Sequence, residues 1–383
     1  MKKYYYIGNI CIIIFEILNV YFIMPMPGSQ EMNSIDVAYF LYSYRWFFRI
    51  LFTSTILMGS LYVFKKGWKW IPAIFLLLTV IITYFFNFVM SADKMFLQPN
   101  KVVMKTALEN KIPGSRLIIG IENNNEANAY PIEFLIYHHQ VRDSIAGKPI
   151  IVTYCSVCRT GRVYEPFVNS RFENFRLVGM DHYNAMLEDK STKSWWRQST
   201  GEAITGTMKG AFLPEILSRQ MTLDKWFELY PHAKVMQPDE ASIENYDTLA
   251  RFEKGKSMGN LTRTDTLPWK EKSWVLGLQI DTFALAYDWK EFTNKKIIND
   301  SIGKYFFVIT LAADGKSFVA FERSPKKYFT IQNDTLFSGD GSFDLEGNAS
   351  GLHSISLKPL KVYQEFWHSW LTFHPNTQKR LIN

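Results

Sequence analysis

Two stretches of the chain decide the fold: GIENNNEANAYPIEF, from Gly120 to Phe134, and GLQIDTFALAYDWKE, from Gly277 to Glu291. They match at one constant offset in a glycine, two alanines and a tyrosine, which are Gly120, Ala127, Ala129 and Tyr130 in the first and Gly277, Ala284, Ala286 and Tyr287 in the second. Two further pairs follow in the same order: DSIAGKPIIVTY with DSIGKYFFVITL, and WFELYPHA with WLTFHPNT. Several matches in register indicate an internal duplication, and two long copies favour two similar lobes rather than a solenoid.

Each lobe is predicted to be α+β and rich in short strands. Apolar runs such as IIVTY and FFVIT follow glycine turns, as buried strands do. The run TLDKWFELYP begins with Thr222, which suits a helix cap, and Pro231 follows the end of the helix. We place the first lobe at residues 116–237 and the second lobe at residues 273–383. The polar segment 238–272 is the predicted linker between them.

The first ninety residues differ from the rest. Three apolar runs, at about 4–24, 46–64 and 68–90, are long enough to cross a bilayer as helices, and aromatic residues cluster at their ends. Residues 91–115 are the predicted linker to the first lobe. Glu16 lies inside the first run, where a charge is costly, so we expect it to be protonated or paired between helices.

Basic residues set the expected orientation. Lys2 and Lys3 precede the first run, and KKGWK, Lys65 to Lys69, joins the second run to the third. The positive-inside rule then places the N-terminus in the cytoplasm and everything after Met90 outside it. We therefore expect a multi-pass protein of the cytoplasmic (inner) membrane, with the lipid bilayer as a partner and an extracytoplasmic main domain.

Composition excludes some classes of function. Charged residues make up 21% of the 383-residue chain and aromatic residues 16%, which is not the composition of a disordered protein. The net charge is +7, but no concentrated basic face is visible, so nucleic acid is not an expected partner.

The candidate reactive residues lie in VTYCSVCRTG, from Val152 to Gly161, where two of the three cysteines of the chain lie at the end of a predicted strand. As a redox couple, one thiolate would attack and the other would resolve, and Arg159 and Arg162 are expected to lower the thiol pKa. As a metal site, Cys155 and Cys158 need further ligands, of which His138 is a candidate. The third reading is a structural disulfide, which an oxidising compartment permits.

Polar residues elsewhere in the first lobe are candidates for a ligand pocket. The run WWRQSTGEAITG combines aromatic and polar side chains before a glycine turn. The ordinary reading is core aromatics with a polar turn, and a lone histidine is more often structural than catalytic. The candidate pocket residues are His139, His182, Asn184, Trp196, Arg197, Gln198 and Glu202.

The ordered motifs ANAYPIEFLIYHHQVRDSIAGKPIIVTYCSVCRTG, SWWRQSTGEAITG and WFELYPHAKV resemble the DUF3179 domain family of bacterial proteins. The resemblance covers residues 116–237 closely, and the second copy fits the weaker C-terminal half of the family. His139, Arg142 and Ser156 depart from its pattern, which favours Glu, Asn and Pro at those positions. The resemblance implies the domain assignment and no particular activity.

The sequence thus predicts an α-helical transmembrane N-terminal region followed by a strand-rich extracytoplasmic α+β domain built from two related lobes. Three hypotheses for its function stay open. The first is thiol-dependent redox chemistry with an envelope partner, in which Cys155 attacks, Cys158 resolves and His138 accepts a proton. The second is a module that binds a metal ion or small ligand through Cys155, Cys158 and His138. The third is a non-catalytic envelope protein with a structural disulfide.

Overall fold

A computed structural model describes residues 1–65, 68–246, 250–339, 341–350 and 355–382. Two positions of the predicted basic loop and three of the predicted linker 238–272 lie outside these ranges. The chain divides into two compact units. Unit 1 comprises Met1–Leu97, Glu173–Arg197 and Glu202–Phe212, and unit 2 comprises Gln98–Phe172, Gln198–Gly201 and Leu213–Asn383. These units cut across the predicted lobe boundaries, since part of the first lobe groups with the N-terminal helices.

Long helices occur only near the start of the described chain, and the later ones are short. The helices are α1 (Lys2–Tyr21), α2 (Ile35–Ser43), α3 (Arg45–Lys65), α4 (Trp70–Tyr84), α5 (Ala92–Met95), α6 (Ile132–His138), α7 (Leu223–Leu229), α8 (Ile243–Tyr246), α9 (Ala250–Glu253), α10 (Trp289–Lys295) and α11 (Trp367–Phe373). Single turns of 3₁₀ helix lie at Ser29–Glu31 and Glu240–Ser242, and a π-helical turn, Phe85–Val89, follows α4.

Short strands fill most of the chain after residue 103. The first of them are β1 (Met104–Thr106), β2 (Leu117–Asn123), β3 (Glu126–Pro131), β4 (Gln140–Ile145), β5 (Lys148–Cys155), β6 (Thr160–Tyr164), β7 (Phe167–Val168), β8 (Arg171–Phe172), β9 (Phe175–Asp181), β10 (Asn184–Asp189), β11 (Trp195–Arg197), β12 (Ala203–Thr205), β13 (Glu215–Ile216), β14 (Arg219–Thr222) and β15 (Lys234–Met236). The remainder are β16 (Trp274–Ile280), β17 (Phe283–Asp288), β18 (Ile297–Ile302), β19 (Tyr305–Leu311), β20 (Phe318–Glu322), β21 (Thr330–Gln332), β22 (Thr335–Ser338), β23 (Gly341–Phe343), β24 (Ala349–Ser350), β25 (Pro359–Leu360), β26 (Val362–Phe366) and β27 (Gln378–Arg380).

Unit 1 contains three helices long and apolar enough to cross a membrane: Lys2–Tyr21, Arg45–Lys65 and Trp70–Val89. The prediction of three N-terminal apolar helices is therefore confirmed. Helices α1 and α3 approach closely at Gly59, where an added Cβ would lie 2.3 Å from the backbone nitrogen of Tyr5. Small residues at such crossings let helix backbones come into contact.

A polar cluster lies inside this helix bundle. Glu16 is fully buried and accepts hydrogen bonds from Arg49 Nε at 2.7 Å and Arg49 Nη2 at 2.8 Å. Asn87 completes the cluster, because its Nδ2 donates to Glu16 Oε2 at 2.9 Å and its Oδ1 accepts from Arg49 at 2.6 Å. The expected interhelical pairing of Glu16 is confirmed, and its partner is Arg49.

The sheet of unit 1, with strand order β12-β11-β10-β9, packs on the segment between α1 and α3. Its backbone touches that segment directly, since Met180 N donates to Ile23 O at 2.7 Å. Gly179 permits this approach, because an added Cβ would lie 2.3 Å from Ile23 O. Trp195 packs edge-on against the ring of Tyr39 in α2 at a centroid distance of 5.1 Å. The sheet and the α1–α3 segment therefore share one core.

Unit 2 is built from small sheets and short helices. Its strand orders are β1-β15-β3-β2-β14, β13-β6-β5-β4, β26-β16-β17-β27, β18-β19-β20-β25, β21-β22-β23-β24 and β7-β8. The predicted cap of α7 is confirmed, because Thr222 Oγ1 accepts from Lys225 N at 3.2 Å. The strand-rich fold expected after the N-terminal helices is confirmed as well.

The segment predicted as a polar linker carries part of the core of unit 2. Tyr246 and Phe252 are buried and belong to the large hydrophobic cluster of that unit. Their helices, α8 and α9, have four residues each, which is too short for a periodic apolar pattern to appear in the sequence. This placement matters for the site, because α9 supplies groups that surround Arg159.

Candidate functional site

The cysteine pair lies where β5 turns into β6 in unit 2. Cys155 ends β5 and pairs with Thr160 of β6, and the intervening turn closes through Arg159, whose φ is +59°. This tight turn brings Cys155 and Cys158 to 4 Å from one another. Both carry free thiols and both are fully buried. The spacing allows their side chains to form a hydrogen bond and leaves a short path to a disulfide.

Residues from distant parts of unit 2 surround the pair. Ser369 of α11 is buried near Cys158 and lowers the pKa of its thiol. Lys272 Nζ donates to the carbonyl of Val157, between the two cysteines, at 3.0 Å. Lys272 Nζ also lies 3.1 Å from His368 Nε2, and the backbone of Phe366 donates to Cys158 O at 3.0 Å. Strand β26 and helix α11 thus enclose the turn that carries the thiols.

Burial determines the protonation states of Cys158 and His368. Burial raises the pKa of Cys158 well above its usual value, and the neighbouring Cys155 raises it further, while Ser369 and Lys272 act in the opposite direction. Burial also lowers the pKa of Lys272, and burial together with that lysine lowers the pKa of His368 to about 3. At neutral pH the imidazole of His368 is therefore neutral, and the Cys158 thiol keeps its proton.

The two arginines predicted to lower the thiol pKa bind other groups. Arg159 extends away from the turn over the ring of Trp274, with its Cζ 3.8 Å from the ring centroid. Arg162 forms a buried ion pair with Glu365 and lies over the ring of Tyr363. Arg159, in the turn, and Arg162, in β6, thus direct their guanidinium groups into other clusters, and a thiolate stabilised by these arginines stays a prediction.

The adjacent histidines have separate surroundings. His138 Nε2 lies 2.5 Å from the hydroxyl of Tyr246. His139 ends α6 in the left-handed conformation, and its Nδ1 lies 3.1 Å from the carbonyl of Tyr154. Burial lowers the pKa of His139 to about 4, so its neutral ring donates through Nδ1 to that carbonyl at pH 7. Within the described ranges, no three His, Cys, Asp or Glu side chains come together as a metal-binding group.

The remaining pocket candidates fall into two groups. His182, Asn184, Trp196, Arg197 and Glu202 belong to unit 1, whereas Gln198 belongs to unit 2. In unit 1, Arg197 bridges two carboxylates, with Nη2 2.7 Å from Asp181 Oδ2 and Nη1 3.1 Å from Glu202 Oε2. Asn184 is buried, and Trp196 Nε1 donates to Asp189 at 2.9 Å. His182 Nδ1 lies 2.7 Å from Asp181 Oδ1.

Gln198 fixes the turn that carries the cysteines. Its Nε2 donates to Thr153 Oγ1 at 2.9 Å, and its Oε1 accepts from Thr160 Oγ1 at 2.5 Å. Thr153 and Thr160 flank the thiol pair on β5 and β6. The amide of Gln198 therefore links the two strands, and its predicted role in a ligand pocket stays a prediction.

Sequence reasoning missed three side chains around the turn that carries the thiols: Lys272, His368 and Ser369. Lys272 lies in the predicted linker, and the other two lie in the predicted second lobe. Val157 and His368, which lie 3.2 Å apart, are separated by 211 positions. A pattern read along the chain contains no signal for this contact.

A comparison with protein families matches residues 98–377 to the model described as "Protein of unknown function (DUF3179)". The match agrees with the resemblance inferred from the motifs, which also included the second copy. The curated proteins and the solved structures gave no match.

Proposed function

Because this chain belongs to the DUF3179 family, whose description assigns no activity, we propose a function from its own geometry. It is a membrane-anchored extracytoplasmic protein whose Cys155 and Cys158 form a reversible dithiol–disulfide couple. The observation that carries the proposal is the pair of free thiols held 4 Å apart. Two thiols at this spacing close to a disulfide with little movement of the chain.

The oxidant in this proposal is a disulfide, on a protein partner or a small molecule. The Cys155 thiolate attacks one sulfur of that disulfide, a mixed disulfide forms, and the first thiol of the oxidant leaves with a proton. Cys158 then loses its proton and attacks the Cys155 sulfur, which releases the second thiol. Two electrons and two protons pass from the cysteines to the oxidant. The raised pKa of Cys158 suits this order, because a resolving thiol stays protonated until Cys155 has reacted.

Lys272 is the positive charge closest to this chemistry in the proposal. Its ammonium acts on the pKa of Cys158, and it is held in place by the carbonyl of Val157. His138 has no part in the couple that we propose, because its ring faces Tyr246. Since both sulfurs are buried, exchange requires local opening of the turn, and we expect slow reaction with exogenous thiol reagents.

Replacing Lys272 with methionine is expected to slow alkylation of the thiols at pH 7 by about tenfold, because loss of a nearby cation raises a thiol pKa by roughly one unit or more. The measurement is the rate of iodoacetamide labelling of the full chain in detergent, read by mass spectrometry. Lys270→Met, at an exposed position two residues away, is the matched control. An unchanged rate in Lys272→Met would remove the lysine from the couple.

The couple itself is tested by thiol trapping in whole cells and by titration against glutathione. We expect the disulfide to form and to be reduced again at a moderate potential. A potential below about −300 mV would favour the structural disulfide, and thiols that never oxidise would exclude a disulfide altogether. Metal analysis of the same preparation decides the metal hypothesis, since a bound ion that is lost in Cys155→Ser/Cys158→Ser would replace the redox proposal.

The proposed topology is a bundle of three membrane-spanning helices with the N-terminus in the cytoplasm. The packing of sheet β9–β12 on the segment between α1 and α3 supports it, because both then lie on the same side of the membrane. The lysines at the N-terminus and around Lys69 belong to the opposite side, which the positive-inside rule makes the cytoplasm. The main domain would then lie in an oxidising compartment.

A reporter enzyme that is active only outside the cytoplasm is expected to be active when fused after Met90 and inactive when fused after Lys65. The reason is that an odd number of crossings separates the N-terminus from Met90 and an even number separates it from Lys65. A fluorescent protein that folds only in the cytoplasm should give the opposite pattern. Reversal of both patterns would invert the topology.

We also infer that unit 2 arose by duplication. The hairpin β2–β3, helix α6 and strands β4–β6 have the same order as β16–β17, α10 and β18–β20. Tyr130 donates to Asp143 at 2.7 Å, and Tyr287 donates to Asp300 at the same distance. These two bonds join equivalent elements in the two copies, which supports a common origin.

The helix ends support the same inference. His139 and Lys296 both close their helices in the left-handed conformation, with φ of +58° and +66°. An added Cβ on Gly120 would lie 2.5 Å from the ring of Trp226, and one on Gly277 would lie 2.3 Å from the ring of Trp370. Because Lys296 ends the equivalent helix in the second copy, a structural role at the helix end accounts for His139.

A further inference from the structure

A cavity of about 470 Å³ in unit 2 has not been used by the proposed couple, and we infer that it binds a small organic anion, a carboxylate or a phosphate ester, that carries a flat apolar part. Its volume falls within the usual range for small-molecule sites. The lining combines basic side chains, two glutamines, one carboxyl group and two tryptophans. The members that the argument uses are Arg116, Arg159, Glu253, Trp274, Trp289 and Gln364.

The first observation is the charge of Arg159, whose side chain lines the cavity and is 1% exposed. Its Nε donates to Gln364 Oε1 at 2.9 Å, and its terminal nitrogens donate to the carbonyls of Phe252 and Glu253 at 3.3 Å each. All three acceptors are neutral, and among the described residues no carboxylate forms an ion pair with this guanidinium. A buried cation of this kind is costly, and an anionic ligand would lower the cost.

The other charged residues of the lining also favour an anionic ligand. Arg116, Lys254 and Lys316 contribute positive charge at the cavity, and Glu253 is its one acidic residue within the described ranges. Arg116 is itself largely neutralised, since its Nη2 lies 2.7 Å from Glu133 Oε2 and its Nη1 lies 3.7 Å from Glu253 Oε2. The excess is positive, so the field in the cavity attracts anions and rejects cations.

Glu253 supplies a second, independent observation. It is 8% exposed, and its Oε1 has no hydrogen-bond partner among the residues that the structure describes. Burial raises the pKa of this carboxyl group to about 7, and Arg116 offsets part of that rise. With that pKa the carboxyl group is protonated in a large fraction of molecules at neutral pH, and in that form it is a buried donor that needs an acceptor. An oxygen of a carboxylate or phosphate ester would fill that position.

Two tryptophans favour a ligand that carries a flat apolar group. Trp274 and Trp289 line the cavity with ring centroids 6.4 Å apart, and Arg159 already covers one face of Trp274. Flat apolar groups stack on indole rings and gain both burial and ring contacts. The arrangement therefore favours an anion with an aromatic or other planar group over a bare inorganic ion.

Three probes of similar size and different charge test the inference: phenyl phosphate, phenylacetamide and phenethylamine. Binding to the full chain in detergent is measured by calorimetry and by saturation-transfer NMR. We expect phenyl phosphate to bind at least tenfold more tightly than phenylacetamide and phenethylamine to show no binding. Equal binding of all three would overturn the preference for anions, and no binding of any probe at 10 mM, on the order of the weakest useful affinity, would overturn the site.

Two variants keep the test independent of folding. Arg159→Gln is expected to abolish binding of phenyl phosphate, but it changes a buried residue. The double variant Lys254→Gln/Lys316→Gln alters exposed positions of the lining and should weaken binding at least threefold while leaving the melting temperature unchanged. Lys148→Gln/Lys326→Gln, at exposed lysines that are not part of the lining, is the matched control. Equal weakening in both double variants would assign the effect to net charge and would overturn the site.

Discussion

Replacing Arg162 with leucine is expected to lower the melting temperature of unit 2 by roughly 6–20 °C. The side chains of Arg162 and its partner Glu365 are only 3% and 2% exposed, so the variant leaves a carboxylate buried without its counter-charge. Breaking one partner of a buried pair costs about 3–5 kcal/mol, and each kcal/mol shifts the melting temperature of a domain of this size by about 2–4 °C. Calorimetric or fluorescence melting of the full chain in detergent measures the effect.

The double variant Arg162→Leu/Glu365→Leu should recover most of this loss, because it removes both buried charges together. Lys358→Leu serves as the control. Its ion pair with Glu322 is exposed and contributes about 1 kcal/mol or less. If the single variant melted like the control, the buried ion pair would not be stabilising unit 2.

The second large effect is expected in the helix bundle, where Arg49→Leu leaves Glu16 without its ion-pair partner. The two bonds from Arg49 and the one from Asn87 are the contacts of a fully buried carboxylate in an apolar bundle. An uncompensated charge there costs about 3–5 kcal/mol. We expect a large fall in the fraction of monodisperse protein that survives heating, measured by size-exclusion chromatography in detergent.

Two variants place this result in context. Glu16→Gln keeps an acceptor for Arg49 but removes the negative charge, so the guanidinium of Arg49 remains without a counter-charge. The fraction of this variant that survives heating should fall between those of the parent and Arg49→Leu. Ser54→Leu changes an exposed position of the same helix and should behave like the parent. Equal survival of Arg49→Leu and Ser54→Leu would mean that the cluster contributes nothing to the bundle.

Local features were predictable from the sequence wherever the cause is local. Hydropathy located the three N-terminal helices, ordered motifs identified the family, and a single threonine located the start of α7. The cost of a buried charge predicted that Glu16 would be paired, although the sequence could not name Arg49. Each of these follows from neighbours along the chain or from one element taken alone.

The surroundings of the thiols were not predictable, because they depend on contacts between distant segments. Lys272 reaches the carbonyl of Val157 across 115 positions, from a stretch whose composition resembles a linker. The directions of Arg159, in the turn, and Arg162, in β6, also depend on how the hairpin β5–β6 is closed, which a motif does not reveal. For the same reason the sheet β9–β12, which the repeat placed in the first lobe, groups with the N-terminal helices.

That sheet has a consequence for biosynthesis. One end of the helix bundle presents Ile23, Ala38 and Tyr39 to a sheet whose strands leave the ribosome about 150 residues later, which at about 5–20 residues per second is on the order of ten seconds. During that interval the sheet does not yet cover the apolar residues at this end of the bundle. Nascent chains that stop between Met90 and Phe175 should therefore be prime targets for chaperones and proteases, and chains that extend past Thr205 should escape them.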